Sequence, residues 1–171
     1  MVSKELLSEI HAHFRRRMNA DVSGALRRHG VAYGVAFGVP SMQLREVAAL
    51  YAPSAELAEA LWAEDIRESK MLATRLYPPS AMDEATALRW VLSAPYDEVT
   101  DQLTMHLLSH LPEAERLMQH LAERPERMAR YAALKLAARL DSRALDDAAR
   151  AIAAAPEADM ALRTAALLVL Q

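Results

Sequence analysis

The apolar residues of this chain recur at intervals of three and four positions, which is the spacing of amphipathic α-helices. No stretch alternates apolar and polar residues over the length of a strand, so we place no sheet. All eight prolines fall at or beside the ends of apolar-periodic segments, where a helix tolerates them. The pattern predicts eleven helices, near Lys4–Met18, Ala20–His29, Met42–Tyr51, Ala55–Ala63, Ile66–Tyr77, Met82–Ser93, Tyr96–Leu111, Glu113–Glu123, Glu126–Leu140, Ser142–Ala154 and Glu157–Leu170.

Three polar residues stand where predicted helices begin. Ser41, Ser54 and Asp141 carry side-chain oxygens that can accept the free N–H groups of a first helical turn. We therefore expect each of them to be an N-cap.

The predicted helices are short and closely spaced, which favours stacked antiparallel pairs. We predict an all-α fold, a HEAT-like or armadillo-like right-handed α-solenoid that forms a single domain over residues 1–171. Alanine is abundant in the later helices, and small side chains let helix axes approach closely. The repeat period is irregular, so a compact helical bundle is the alternative.

The composition restricts the size of the fold and the cellular compartment, but it does not indicate the function. The chain has 171 residues, enough for one domain with a hydrophobic core, and no cysteine, which excludes disulfides and thiolate metal sites. It has no apolar run of about 20 residues and no apolar signal-peptide core near its start. We expect a cytoplasmic protein with no membrane contact. The net charge of −3 means that DNA binding would require a local basic patch.

The segment from Tyr33 to Pro79 narrows the function furthest. Five short elements occur there in a fixed order: Phe37-Gly38-Val39-Pro40, Leu44-Arg45, Leu61-Trp62, Arg67-Glu68 and Leu72-Ala73. This arrangement resembles the HEAT-like helical repeats of the AlkD-type DNA alkylation repair family, and the resemblance extends to Leu140. It implies a repair protein that binds alkylated double-stranded DNA on the concave face of a helical solenoid. It also implies glycosylase activity, the release of 3-methyladenine or 7-methylguanine by hydrolysis of the N-glycosidic bond.

Asp101 is the candidate catalytic residue. On a helical wheel it lies in an apolar stripe with Met105 and Leu108, so its carboxylate is either partly desolvated or paired with a cation. The resemblance implies that Asp101 stabilises the positive charge of the alkylated nucleotide, and a fixed carboxylate suits that task. The family's tryptophan one turn earlier is replaced here by Asp97. No aromatic residue follows Tyr131, although the family has one near the C-terminus.

Arg127, Arg130 and Lys135 are the candidate DNA-binding residues. The resemblance places Arg130 where the family has an arginine that faces the DNA backbone. Arg127 and Arg130 are three positions apart and are predicted to share one helix face, and Lys135 and Arg139 are predicted to share another. The alternative is an ordinary solvated face with interleaved glutamates.

We expect no metal and no cofactor. His106 and His110 have the spacing of a metal-binding pair, but the sequence offers no clear third ligand, so packing is the favoured interpretation. Glu68 lies in an apolar helix, and we expect it to pair with a cation such as Arg45 and to lock neighbouring helices together.

Two functions without catalysis stay open. The missing aromatic residues and the acidic net charge favour a catalytically inactive HEAT-like module that binds DNA structure or a protein partner. The apolar C-terminal helix, which ends in Leu167-Leu168-Val169-Leu170, favours a scaffolding homodimer.

Overall fold

A computed structural model describes residues 2–171 of the chain. Within that range there are eleven α-helices and no β-strand, which confirms the prediction of an all-α protein. Two short 3-10 segments, Pro79–Ala81 and Leu108–His110, lie between helices. The helices are α1 Lys4–Arg16, α2 Ala20–Arg28, α3 Ser41–Ala48, α4 Ala55–Trp62, α5 Arg67–Leu76, α6 Glu84–Ser93, α7 Asp97–His106, α8 Ala114–Ala122, α9 Arg127–Leu140, α10 Asp146–Ala154 and α11 Met160–Val169.

The helices form two compact units, which meet in the sequence at Ala81 and Met82. The N-terminal unit contains α1 to α5, and both α3 and α4 pack against α5. Leu44, Leu61 and Leu72 from these three helices are completely buried. The core of this unit is therefore built from the apolar stripes that the sequence pattern predicts.

The loop between α2 and α3 is part of the N-terminal core. Phe37 packs its ring against that of Phe14, with 5.9 Å between the ring centroids. Val35 forms two backbone hydrogen bonds with the residues that lead into α5, because its N–H donates to the Asp65 carbonyl and its carbonyl accepts from Arg67. These bonds hold the loop against the beginning of α5.

Gly38 occupies the tightest position of this loop. Its φ angle is +76°, and a Cβ atom there would lie 2.9 Å from the backbone nitrogen of Ser23 and closer still to the carbonyl oxygen of Asn19. Only glycine combines the left-handed conformation with this approach to the beginning of α2.

Glu68 binds the same loop from the side of α5. Its carboxylate is 0% exposed and accepts hydrogen bonds from the N–H groups of Phe37, Gly38 and Val39 at 3.0, 3.0 and 3.2 Å. Arg67 completes the arrangement, because its Nη1 lies 3.0 Å from Glu68 Oε1 and 3.3 Å from the Val39 carbonyl oxygen. The expectation that Arg45 is the partner of Glu68 is wrong. The charge is balanced by the adjacent Arg67, and the backbone of the loop satisfies the remaining lone pairs.

In the C-terminal unit α9 is the central helix. It packs against α6, α7, α8 and α11, and α10 packs against α11. Ala129, Ala132, Ala133 and Ala137 of α9 are all buried. These small side chains let the surrounding helices approach α9 closely, as the alanine-rich sequence predicts.

The seventh predicted helix is interrupted. It was expected to run from Tyr96 to Leu111, but α7 ends at His106 because Leu107 leaves the helical conformation, with φ −130° and ψ −62°. Leu107 and Leu108 are consecutive and both completely buried. A continuous helix would turn them about 100° apart, so the break allows both to reach the core.

One of the three N-cap predictions is confirmed. The Ser54 hydroxyl accepts from the Leu57 N–H at 3.2 Å. Ser41 is instead the first residue of α3, after Pro40, and its hydroxyl accepts from Arg75. Asp141 ends α9 in the left-handed conformation, a C-cap geometry that aspartate tolerates, and α10 begins only at Asp146.

Candidate nucleic-acid interface

Charged residues of α7 and α9 face each other along one side of the C-terminal unit. Asp97 and Asp101 lie one turn apart on α7, and Arg127, Tyr131 and Lys135 follow at four-residue intervals on α9. Residues four apart lie on the same face of a helix. We call these five residues, together with Asp159, the paired row.

Asp101 is paired within the row. Its Oδ1 accepts a hydrogen bond from the Tyr131 hydroxyl at 3.0 Å and lies 3.0 Å from Lys135 Nζ. The Asp101 side chain is 33% exposed. Of the two alternatives raised by the sequence, desolvation or a cation partner, the structure shows the cation partner.

Asp97 is held by a different cation. Arg127 donates from both Nη atoms to the two carboxylate oxygens of Asp97, with Nη2 2.9 Å from Oδ2. Arg127 also binds Asp159, the N-cap of α11, with Nε 2.8 Å from Oδ2. Because Arg127 and Lys135 each serve one of the α7 aspartates, the two carboxylates can lie one turn apart.

The surroundings of three residues of the row shift their pKa values. The hydrogen bonds that Arg127 donates to Asp97 and Asp159 raise the pKa of Arg127, and the Arg127 guanidinium lowers the pKa of Asp159. Burial, followed by the Asp101 charge, raises the pKa of the Tyr131 phenol. The pKa shifts favour a charged Arg127, an ionised Asp159 and a neutral Tyr131 at neutral pH.

Tyr131 is covered by the cations beside it. Arg127 and Lys135 lie 5.2 and 5.8 Å from its ring centroid, within cation–π range, and the residue is only 5% exposed. The ring therefore stabilises cations of the protein itself.

Arg130 lies outside the paired row. It lines an apolar groove of about 410 Å3 with residues of α8, α9 and α10 and with Glu157. Its Nε is buried without a hydrogen-bond partner, and Arg130 forms no ion pair within residues 2–171. The groove is lined by Ala122, Arg130, Ala133, Leu134, Leu145, Ala148, Ala151, Ile152, Ala155 and Glu157.

Arg127 and Arg130 therefore contact different groups, and their sharing of a face stays a prediction. They differ by about 60° around α9. Lys135 and Arg139 do point to the same helix, since Arg139 Nε lies 3.4 Å from Thr104 Oγ1 of α7. The structure thus brings Arg127 and Lys135 together and leaves Arg130 apart.

Sequence reasoning missed the roles of Tyr131 and Asp159. Tyr131 could have been found, because it lies four positions from both Arg127 and Lys135. Asp159 carries an N-cap signal three residues before Leu162, whose N–H donates to it at 2.8 Å. Its ion pair with Arg127 depends on the packing of α11 against α9, which no local pattern encodes.

Two further findings concern the part of the chain that the structure describes. No group of three or more histidine, aspartate or glutamate side chains is arranged to hold a metal ion there. None of its helices has the length and apolar character needed to cross a membrane.

The fold is that of a helical-repeat protein of the HEAT-like class. A solved structure, described as a member of a new family of proteins related to the HEAT-like repeat DNA glycosylases with affinity for branched DNA structures, matches with a TM-score of 0.80. The match has 19% sequence identity and covers 99% of this chain and 74% of that one, and it shows the fold alone. No curated protein matches the sequence.

The sequence itself identifies the family. The profile of the DNA alkylation repair enzyme family matches residues 10–165, which is nearly the entire chain. The protein therefore belongs to the DNA alkylation repair enzyme family, as the elements between Tyr33 and Pro79 predict.

Proposed function

We propose that this protein binds DNA by recognising its structure, branched DNA above all, and that it does not excise bases. Membership of the DNA alkylation repair enzyme family supports DNA as the partner. The likeness in fold to a protein with described affinity for branched DNA supports a structural mode of recognition.

The observation that carries the proposal is the pairing of Asp101. Excision of a cationic base requires a carboxylate whose charge is directed at the positive charge that develops on the sugar. Here Lys135 and Tyr131 already engage that carboxylate at 3.0 Å each. A cationic alkylpurine that approached Asp101 would also meet the positive charges of Lys135 and Arg127.

The surroundings of Asp101 support the same conclusion. The position of the family's tryptophan holds Asp97, which is bound by Arg127. Tyr131, the nearest aromatic residue of α9, has its ring beside two cations and is buried. The paired row thus offers no free aromatic face on which a cationic base could stack.

Among the three candidate DNA-binding residues, Arg130 is the first choice for a phosphate contact. It forms no ion pair within residues 2–171, so DNA binding would not have to break one. Arg127 and Lys135 would first have to exchange an aspartate for a phosphate. Each phosphate contact makes the slope of log K against log salt concentration more negative by about 0.9.

The binding test compares a fluorescent four-way DNA junction with a linear duplex of the same length, at low and moderate salt. The proposal predicts salt-sensitive binding, tighter for the junction, and weaker binding by Arg130→Ala. Arg150→Ala is a matched control, because Arg150 lies on α10 and pairs with Asp147. Failure of the wild-type protein to bind either DNA at low salt would refute the proposal.

Excision is the second candidate function, with Asp101 as the catalytic residue. The 33% exposure of the Asp101 side chain supports it, since a ligand can reach the carboxylate. The test is release of 3-methyladenine or 7-methylguanine from alkylated duplex DNA, with Asp101→Asn as the control. Release above the level of this variant would favour the enzyme, and release equal to it favours the binding module.

A further inference from the structure

A second group of cations lies in the N-terminal unit, where α3 packs against α5. Arg75 of α5 donates from Nη2 to the Ser41 hydroxyl at 2.8 Å. Arg45 lies one turn after Ser41 on α3, so both face the same side of that helix. Ser41, Arg45 and Arg75 thus form a compact cluster, which we call the arginine cluster.

Within residues 2–171 the arginine cluster has no counter-ion. Neither Arg45 nor Arg75 forms an ion pair within residues 2–171, in contrast to Arg127 and Lys135 of the paired row. Two of the three guanidinium nitrogens of Arg75, Nε and Nη1, are buried and have no hydrogen-bond partner. Buried cations are nearly always paired, because desolvating an unpaired charge is costly.

Arg45 also acts on Arg75. Burial, followed by the charge of Arg45, lowers the pKa of Arg75 to about 10. The exposed Arg45 side chain leaves the cluster open to solvent. Two neighbouring guanidinium groups without a counter-ion repel each other in the free protein. Because solvent can reach them, an anion could bind there and compensate their charge.

We propose that Ser41, Arg45 and Arg75 bind a phosphate group of the DNA backbone. This inference rests on the proposed DNA binding and adds a contact in the N-terminal unit, on helices other than those of the paired row. Guanidinium groups bind phosphate strongly, through charge-assisted hydrogen bonds with matching geometry.

Each member of the cluster has a defined task. Arg45 supplies the exposed guanidinium that reaches the phosphate first. The Ser41 oxygen accepts from Arg75, so its own hydroxyl proton is free to be donated outward to a phosphate oxygen. Arg75 supplies positive charge from behind Ser41 and holds the hydroxyl in place. Pro40, the residue before α3, provides no side-chain cap. The N–H groups of the first turn of α3 therefore add partial positive charge, which favours a bound anion.

A phosphate-binding role and a purely structural role predict opposite effects of replacing Arg75 on the stability of the free protein. If Arg75 served the fold, its replacement would destabilise the free protein. An unpaired, half-buried cation opposes folding instead, so Arg75→Gln is expected to raise the midpoint of thermal unfolding while weakening DNA binding. Arg45→Gln, at an exposed position, is expected to leave the midpoint unchanged and to weaken DNA binding in the same way.

The experiment measures the salt dependence of junction binding for the wild type, Arg45→Gln, Arg75→Gln and the control Arg150→Gln. The control removes the same charge from an arginine that pairs with Asp147. We expect the slope of log K against log salt to be less negative by about 0.9 in each cluster variant, and the control to keep the wild-type slope. Wild-type slopes in both cluster variants would overturn the inference while leaving the proposed function intact.

A second readout does not depend on DNA. Inorganic phosphate should raise the thermal midpoint of the wild type more than that of Arg75→Gln or Arg45→Gln, because only the wild type has the complete cluster. Equal shifts in all three proteins would overturn the site. If the wild type binds no DNA, the proposed function fails, and the phosphate comparison still decides whether the cluster binds an anion.

Discussion

Glu68 of the N-terminal unit and Asp101 of the C-terminal unit are both carboxylates on a helix, and both are paired with a cation. Glu68 is 0% exposed and is surrounded by three backbone N–H groups and Arg67. Asp101 is 33% exposed and has one phenol and one ammonium group as partners. The carboxylate that is fully enclosed fixes a loop, and the one at the surface can still exchange its partners.

The difference in burial implies a difference in energy. Removing one member of a buried ion pair typically costs 3–5 kcal/mol, because the other charge stays buried without a partner. A pair near the surface contributes about 0–1 kcal/mol, since water replaces the lost partner. The first arrangement therefore determines whether the fold forms, whereas the second mainly determines what the surface can bind.

The largest effect is expected for Glu68→Gln. The substitution leaves Arg67 charged and buried, and it weakens the acceptors of three backbone N–H groups. We expect a loss of about 3–5 kcal/mol in the free energy of unfolding, measured by urea denaturation followed by circular dichroism. The control is Glu46→Gln, the same exchange at an exposed position of α3. Equal unfolding free energies for the two variants would refute the structural role of Glu68.

Gly38→Ala tests the loop that Glu68 holds. Gly38 and Gly30 share a φ angle of +76°, but a Cβ atom would meet the backbone of α2 only at Gly38, and nothing within 4 Å at Gly30. The left-handed conformation alone costs about 1–2 kcal/mol for a residue with a Cβ. We expect Gly30→Ala to show this cost and Gly38→Ala to exceed it in the same denaturation assay. Equal losses would mean that the loop can move away from α2.

Asp101→Asn should have a much smaller effect than Glu68→Gln. Lys135 then loses its partner, but solvent can hydrate the freed ammonium group. We expect a change of about 0–1 kcal/mol in the free energy of unfolding. A loss of unfolding free energy as large as that of Glu68→Gln would show that the Asp101 carboxylate is a structural group. It would refute the proposed difference between the two carboxylates.

The smallest expected effect appears only at alkaline pH. The pKa of Tyr131 is raised in the folded protein, so its protonated form favours folding. This contribution is complete below the unfolded tyrosine pKa of about 10 and is lost as the pH rises above it. Unfolding free energies measured from pH 8 to 11 should therefore fall more steeply for the wild type than for Tyr131→Phe. Parallel curves would contradict the raised pKa of Tyr131.

The sequence was a good guide wherever the controlling forces are local. Apolar periodicity and proline positions predicted all eleven helices, and the Ser54 cap followed from one side chain. The ends of the helices were harder to predict. The break at Leu107, for example, depends on the packing of two consecutive leucines in the core.

The candidate site was predicted less well than the fold. Asp101, Arg127 and Lys135 were named from the sequence, but the ion pairs that join them cross from α7 to α9. Which cation meets which carboxylate depends on helix packing. Glu68 illustrates the same point, because the expected partner Arg45 lies instead beside Arg75, and no described residue serves Arg45 as a counter-ion.

The most direct test of the central claim is the release of 7-methylguanine from methylated duplex DNA, with the protein in excess over the DNA, for the wild type and Asp101→Asn. The claim is that Lys135 and Tyr131 hold Asp101 in a paired state, which does not serve excision. We predict that the two proteins release the same background amount. Release by the wild type that clearly exceeds release by Asp101→Asn would contradict this account and would make Asp101 a catalytic residue.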